Sequence, residues 1–387
     1  MNLTDNASFF IVYPLNLEDL GLIELEEKFK LHFPNDHFEI KEKVPGGVLI
    51  ECPVITGLSL NKILRTPTRI LIRLGEFKCR DAPKLFQKMS KFNWAPWMIG
   101  QTPIVESAST NSRLFDSRKI EKAIQDGVNQ YYRHKPVKKK YLEYWQNYKN
   151  ALLPKIYFRA VDDVCTISLD TTGERLHLRG EKILTGLAPI RESLAALLLI
   201  ELGRHLENKE NVTLIDPMCG SGTFLLEALD AKKITTEREF SFQHIPLVLD
   251  NTSKFTQLVS SANTRFKNLV GFDQNIEVVE LAKKNCKDIN IKIEQADLFD
   301  EEINPIQNSV VIMNPPYGIR VGEKSEINLA YYLKVIVASQ KKFNPELLGI
   351  IIPADYRLSG KHNFKILSAR PFKNGGIEVV FYVINSL

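Results

Sequence analysis

Two kinds of hydrophobic spacing alternate along this chain, and they divide it into two parts. In the second part, short apolar runs rich in β-branched residues read as buried parallel strands: Asn211–Ile215, Leu269–Asp273, Ile291–Glu294 and Ser309–Met313. Helical stretches stand between them, from the apolar Arg191–Leu206 to Thr223–Ala231 and Ile276–Lys287. From about residue 183 onward this alternation predicts a parallel α/β domain. The first 75 residues are patterned differently. Phe9–Tyr13 is strand-like and stopped by Pro14. Leu17, Leu20, Ile23, Leu25 and Phe29 recur at helical spacing. Gly46-Gly47 turns into Val48–Cys52, and Ile70–Leu74 makes a further strand. This predicts a small α+β unit. Residues 76–160 continue in the same style, with a helix-like stretch over Ser117–Ile124.

Charge sharpens the division. Residues 1–160 hold 25 Lys and Arg against 17 Asp and Glu, whereas residues 161–387 hold 26 against 29. A basic half joined to a slightly acidic one predicts a polyanion-binding module attached to something else. The cations gather at Arg113, Arg118, Lys119 and Lys122, then at Arg133, Lys135, Lys138, Lys139 and Lys140. Tyr131, Tyr132, Tyr141, Tyr144, Trp145 and Tyr148 are interleaved with the second group. Cations contact phosphates and aromatic faces stack unpaired bases, although such aromatics can equally pack into a core.

A length of 387 residues, 44% hydrophobic and 25% charged, suits a globular protein of two or three domains. No apolar run approaches the roughly 18 residues of a membrane span, and the first ten residues lack a basic region followed by an apolar one. Neither a signal peptide nor an anchor is expected. Cys52, Cys79, Cys165, Cys219 and Cys286 form no C-x-x-C, so neither a zinc site nor a disulfide framework is expected, and a reducing cytoplasm is.

The candidate chemistry sits where the predicted strands end, which is where open α/β sheets place their ligands. Asp216 closes the first strand and leads into a tight loop with Cys219, Gly220 and Gly222. Position 225 is Leu225, which breaks a G-x-G-x-x-G phosphate loop, so an acid before two glycines fits a zwitterionic amino acid better than a pyrophosphate. Asp273 closes the second strand and is placed to accept two ribose hydroxyls. After the third, Asp297 can accept an amino hydrogen of adenine while Leu298 packs on the ring. After the fourth comes Asn314-Pro315-Pro316-Tyr317. The Asn314 amide oxygen and the Pro315 carbonyl can each accept one N–H of an exocyclic amine, and Tyr317 offers a face for a flat base. Each acid alone is as well explained as a helix cap. Four strand ends in this order are not.

These residues resemble the Rossmann-like S-adenosylmethionine-dependent methyltransferases that act on amines. The run Asp216–Ala228 together with Asn314–Arg320 resembles the guanine-N2 members that carry a THUMP domain. Leu64–Ile70 followed by Phe77, then Ser112–Phe115 and Lys122–Ile124, are similar to the N-terminal region of that family. Ile167–Gly180 resembles its connector, except that Glu181-Lys182 stand where the family has an aromatic residue and Arg. A second departure is Glu237–Ser260, where the family has an aromatic-rich stretch that shapes the pocket; here it holds Phe240, Phe242 and Phe255 and no tryptophan.

The resemblance implies a ferredoxin-like segment over 1–75, a THUMP RNA-binding domain over 76–165, a connector over 166–190 and a Rossmann-fold methyltransferase domain over 191–387. It implies a cytoplasmic, monomeric enzyme that takes S-adenosylmethionine, no metal and no membrane, and methylates guanosine N2 in 23S ribosomal RNA. Transfer RNA is the alternative substrate. A DNA adenine-N6 or protein glutamine methyltransferase, or a non-catalytic RNA-binding protein, are the remaining readings.

Overall fold

The computed structural model describes residues 2–148, 152–179, 190–206, 212–229, 233–235, 238–255, 258, 266–286, 291–299, 306–318, 327–358 and 363–386. Gly180, Glu181, Lys182, Ile319 and Arg320 of the sequence argument lie outside these residues.

The chain begins β1 (Asn6–Val12), α1 (Glu18–His32), β2 (Glu39–Val44), β3 (Gly47–Pro53), α2 (Val54–Ile63) and β4 (Arg69–Lys78). These strands lie in the order β2-β3-β1-β4, each pair antiparallel, which is the ferredoxin-like arrangement of a β-α-β-β-α-β unit. Phe9 and Ile11 alternate inward from β1 and are wholly buried. The sheet then continues past β4. After α3 (Ala82–Lys91), β5 (Val105–Thr110), α4 (Ser117–His134) and α5 (Lys139–Asn147) come β6 (Ile156–Val161) and β7 (Val164–Asp170). β7 pairs antiparallel with β4, β6 antiparallel with β7, and β5 parallel with β6, closing a seven-stranded sheet. Residue 75 therefore lies inside β4, and residues 166–170 lie inside β7. The helices start on side-chain caps: Asp81 accepts from the Lys84 N–H ahead of α3, and Asp116 from Arg118 and Lys119 ahead of α4.

The second sheet follows α6 (Glu192–Arg204). Its elements are β8 (Val212–Asp216), α7 (Thr223–Leu229), then, beyond the short α8 (Pro246–Leu249), β9 (Phe266–Asp273), α9 (Ile276–Asn285), β10 (Ile291–Gln295), β11 (Ser309–Met313), α10 (Leu329–Phe343), β12 (Leu347–Pro353), β13 (Phe364–Asn374) and β14 (Ile377–Ser386). The order is β10-β9-β8-β11-β12-β14-β13, with the first five parallel and β14 antiparallel to β12. This is the doubly wound order with its switch point between β8 and β11. The β11 run has no polar face because both faces are covered. Val310 and Ile312 join one apolar cluster, Val311 and Met313 the other.

The chain forms two compact units: Met1–Val12, Glu27–Leu176 and Thr235–Leu258 in one, Tyr13–Glu26, His177–Ile234 and Val259–Leu387 in the other. Two crossings were not foreseen. Leu17 and Leu20, read from their spacing as part of the N-terminal α+β unit, are wholly buried in an apolar cluster with Leu194, Leu197 and Leu198 of α6. Thr235–Leu258, which interrupts the second unit in sequence, is bonded into the first. The Thr235 N–H donates to the Lys62 carbonyl, Phe242 to Thr171 and Leu247 to Pro96. Phe240 and Phe242 are each 1% exposed, so they are core residues.

Candidate active site

Strand register brings four chain segments to one edge of the second sheet. Asp216 pairs with Gly271, so Asp273 ends two residues beyond it on the next strand. Gln295 pairs with Asp273, so Asp297 again stands two residues further. On the other side Val311 pairs with Ile215, and Asn314 follows beyond Met313.

The Asp216–Gly222 loop is tied down by its own backbone. The Met218 N–H reaches Asp216 Oδ1 at 3.2 Å, Cys219 donates to the Phe272 carbonyl at 2.8 Å, and Gly220 donates to Asp273 Oδ2 at 3.1 Å. Gly220 and Gly222 both take positive φ, of 53° and 84°. A Cβ on Gly222 would meet Cys286 Sγ at 3.3 Å, whereas one on Gly220 would meet nothing within 4 Å. Gly220 thus faces open space on which a ligand can lie. Asp216 is 2% exposed and, among the described residues, its carboxylate accepts only from the Met218 N–H. Burial pushes its carboxyl well above the ordinary carboxylate range, and the nearby Asp273 pushes it the same way. A buried carboxylate under that strain is complementary to an ammonium ligand. Cys219 is buried and its thiol is pushed up by burial and by the two carboxylates, which leaves it an inert wall of the loop.

Asp273 is half-buried, with its second oxygen on the Asn275 N–H at 3.0 Å. Asp297 is exposed and caps the Phe299 N–H at 2.9 Å. Leu298 is 2% exposed and sits in the apolar cluster with Ile215, Val270 and Met313.

The Asn314 motif is held by hydroxyl groups. Tyr317 donates its hydroxyl to Asn314 Oδ1 at 2.6 Å and receives the Asn374 amide Nδ2–H at 2.9 Å. Tyr332, wholly buried on α10, donates to the Pro316 carbonyl at 3.0 Å. The Pro315 carbonyl accepts from no described residue and stays open as an acceptor. Burial pushes the Tyr317 hydroxyl up to about 12, so it remains a protonated donor at neutral pH.

Residues 179–360 match the family model UPF0020, described as an RMKL-like methyltransferase domain. Most of that match falls in the second unit, which is similar to RMKL-like methyltransferase domains. A curated relative, ribosomal RNA large subunit methyltransferase K/L of Colwellia psychrerythraea strain 34H, is 29% identical over 372 residues, covering 90% of this chain and 49% of its own. The chain thus spans about half the length of that relative. Among solved structures, "a possible methylase from Clostridium difficile 630" superposes with a TM-score of 0.74 at 21% identity, covering 99% of both chains. The SAH complex of SMU.472 superposes with a TM-score of 0.72 at 23% identity, covering 99% of this chain and 98% of its own. Both share the fold over its full length.

The methyltransferase domain contains none of the predicted cationic residues. Arg113, Arg118, Lys119, Arg133, Lys138, Lys139 and Lys140 all lie exposed in the other unit. The interleaved aromatics divide: Tyr131 and Tyr141 are buried, while Tyr144 stacks on the exposed Tyr148 at 4.6 Å and bonds to His244 Nδ1. Sequence reasoning missed Asn374 and Tyr332. Asn374 precedes Gly375-Gly376 and reads as a turn residue, and Tyr332 falls within an apolar helix, so neither carried a chemical signal. Among the described residues no helix is long and apolar enough to cross a membrane, and no group of three or more His, Cys, Asp or Glu could hold a metal ion.

Proposed function

We propose that this chain transfers a methyl group from S-adenosylmethionine to the exocyclic N2 of a guanosine in large-subunit (23S) ribosomal RNA. The observation that carries the reading is the pairing of two acceptors, the second lone pair of Asn314 Oδ1 and the Pro315 carbonyl, with a loop shaped for an amino-acid ligand on the adjacent strand. Asp216 would take the cofactor's ammonium group, the open face of Gly220 would lie against its methionine portion, and Asp273 would take the ribose hydroxyls. Asp297 and Leu298 border the adenine. Bound here, the cofactor supplies a sulfonium methyl group. Asn314 and Pro315 hold the two hydrogens of the target amine and so aim its lone pair at that methyl. Their oxygens would stabilise the positive charge that grows on nitrogen as the N–C bond forms and the S–C bond breaks, its electron pair leaving with the neutral thioether S-adenosylhomocysteine. The resulting aminium is acidic and releases its proton to water, so the site needs no strong base.

The ribosomal RNA methyltransferase K/L named above supports an RNA substrate, as does the basic unit. Its exposed cations are suited to phosphates. The same unit holds a cavity of about 310 Å³ lined by Pro96, Tyr132, Lys135, Lys138 and Leu247, with the size and mixed character that suit a splayed nucleotide. The target guanine must leave its stack to reach the acceptors.

The test is transfer of labelled methyl from S-adenosylmethionine to total RNA from cells lacking the gene, followed by sizing and nucleoside digestion. Label as N2-methylguanosine in the large ribosomal RNA is expected. Label in transfer RNA would keep the chemistry and change the substrate. Absence of label from all RNA would overturn the reading.

A further inference from the structure

The polar chain behind Asn314 ends outside the motif, on a hairpin with no part in the strand-end chemistry. β13 and β14 are joined by the two-residue turn Gly375-Gly376, both at positive φ, with Asn374 paired to Ile377. Asn374 is 7% exposed, and its Nδ2–H reaches the Tyr317 hydroxyl at 2.9 Å. That hydroxyl reaches Asn314 Oδ1 at 2.6 Å. In the observed orientation the Asn374 amide nitrogen donates and the Asn314 amide oxygen accepts, so the single hydroxyl hydrogen points at Asn314.

We propose that Asn374 is a positioning residue, which fixes the orientation of the Asn314 amide through the Tyr317 hydroxyl. The inference rests on Asn314 being the acceptor of the target amine. An Asn side chain turned by half a rotation would present its NH2 group to that amine, donor against donor. With Asn374 donating to the Tyr317 hydroxyl, only Oδ1 can satisfy the hydroxyl hydrogen, and the relay opposes the turned amide. A carbonyl oxygen has two lone pairs, so one remains for the substrate. Tyr332, holding the Pro316 carbonyl at 3.0 Å, fixes the backbone of the same segment. The Asn314 amide and the peptide that follows the Pro315 carbonyl are therefore each held by a tyrosine hydroxyl, and Asn374 sets the first.

The experiment measures kcat and KM of Asn374→Ala, Asn374→Asp, Tyr317→Phe and the double variant Asn374→Ala/Tyr317→Phe, with S-adenosylmethionine binding and thermal unfolding followed in parallel. Each single change is expected to lower kcat about tenfold, the scale of one hydrogen bond, with KM for S-adenosylmethionine unchanged. The isosteric Asp cannot donate when ionised and should be no better than Ala. The double variant should be no slower than Tyr317→Phe alone, since both changes cut the same chain. Losses that multiply, or wild-type kcat in Asn374→Ala or Tyr317→Phe, would overturn the relay. Asn314→Ala is the control that separates the two claims. If it is inactive while the relay variants are normal, only the relay fails. If it keeps full turnover, the reading of the site fails with it.

Discussion

Asp216 ends β8 with one backbone hydrogen bond and almost no exposure, and burial raises its carboxyl above the value it has in the unfolded chain. The folded protein therefore holds that proton more tightly than the unfolded one. The associated stability is present below the ordinary value of 3.8 and is lost as pH rises through the raised one. Asp216→Asn removes this loss. The cofactor-free variant is expected to melt higher than wild type at neutral pH and to show a flatter dependence of Tm on pH, while its affinity for S-adenosylmethionine falls about tenfold or more. Thermal unfolding across pH and calorimetric titration check the two halves. A variant that melts lower than wild type and binds equally well would show that Asp216 is structural. The site residues that could be read from sequence share one property with Asp216: they stand at strand ends in the motifs themselves. Asn374 could not, because its contact depends on a hairpin that returns to Tyr317 from 57 residues away.

At the scale of elements, α6 is clamped to β13 by Glu201. This carboxylate is 1% exposed and accepts from Ser368 and from the Arg370 guanidinium, whose other partner is Asp19 of α1. Burial raises its pKa, but the bonds from Ser368 and Arg370 outweigh burial and hold it below the ordinary 4.5. Its stabilisation is thus full above that value and lost as pH falls through the lowered one. Glu201→Gln is expected to cost about 2 kcal/mol at neutral pH, the scale of charge-assisted hydrogen bonds, and less in acid. Chemical denaturation at neutral and acidic pH measures both, and an equal loss at the two would contradict the assignment. None of this was legible, since Asp19, Glu201 and Arg370 are joined only by the fold. The strands were legible for the opposite reason. A run such as Val310–Met313, apolar on both faces, has few stable places other than the middle of a covered sheet. Helix α1 shows where pattern stops: its spacing revealed an apolar face but not that Leu17 and Leu20 pack with α6.

For the whole molecule, composition divided the chain by charge, and the exposed cations fall in one unit and the strand-end residues Asp216, Asp273, Asp297 and Asn314 in the other. Contiguity in sequence misled at Thr235–Leu258, which stands between α7 and β9 yet is bonded into the basic unit. A segment of that length carries no sign of which core its phenylalanines will join. In the proposed function a basic RNA-holding unit serves one amine clamp, and everything else depends on that clamp. The most direct measurement is the N2-methylguanosine content of large-subunit ribosomal RNA from cells lacking the gene, re-supplied with wild type or with Asn314→Ala. Wild type is expected to restore the modified nucleoside and Asn314→Ala to leave it absent, with transfer in vitro reduced about a hundredfold or more. Full restoration by Asn314→Ala, or none by wild type, would contradict the account.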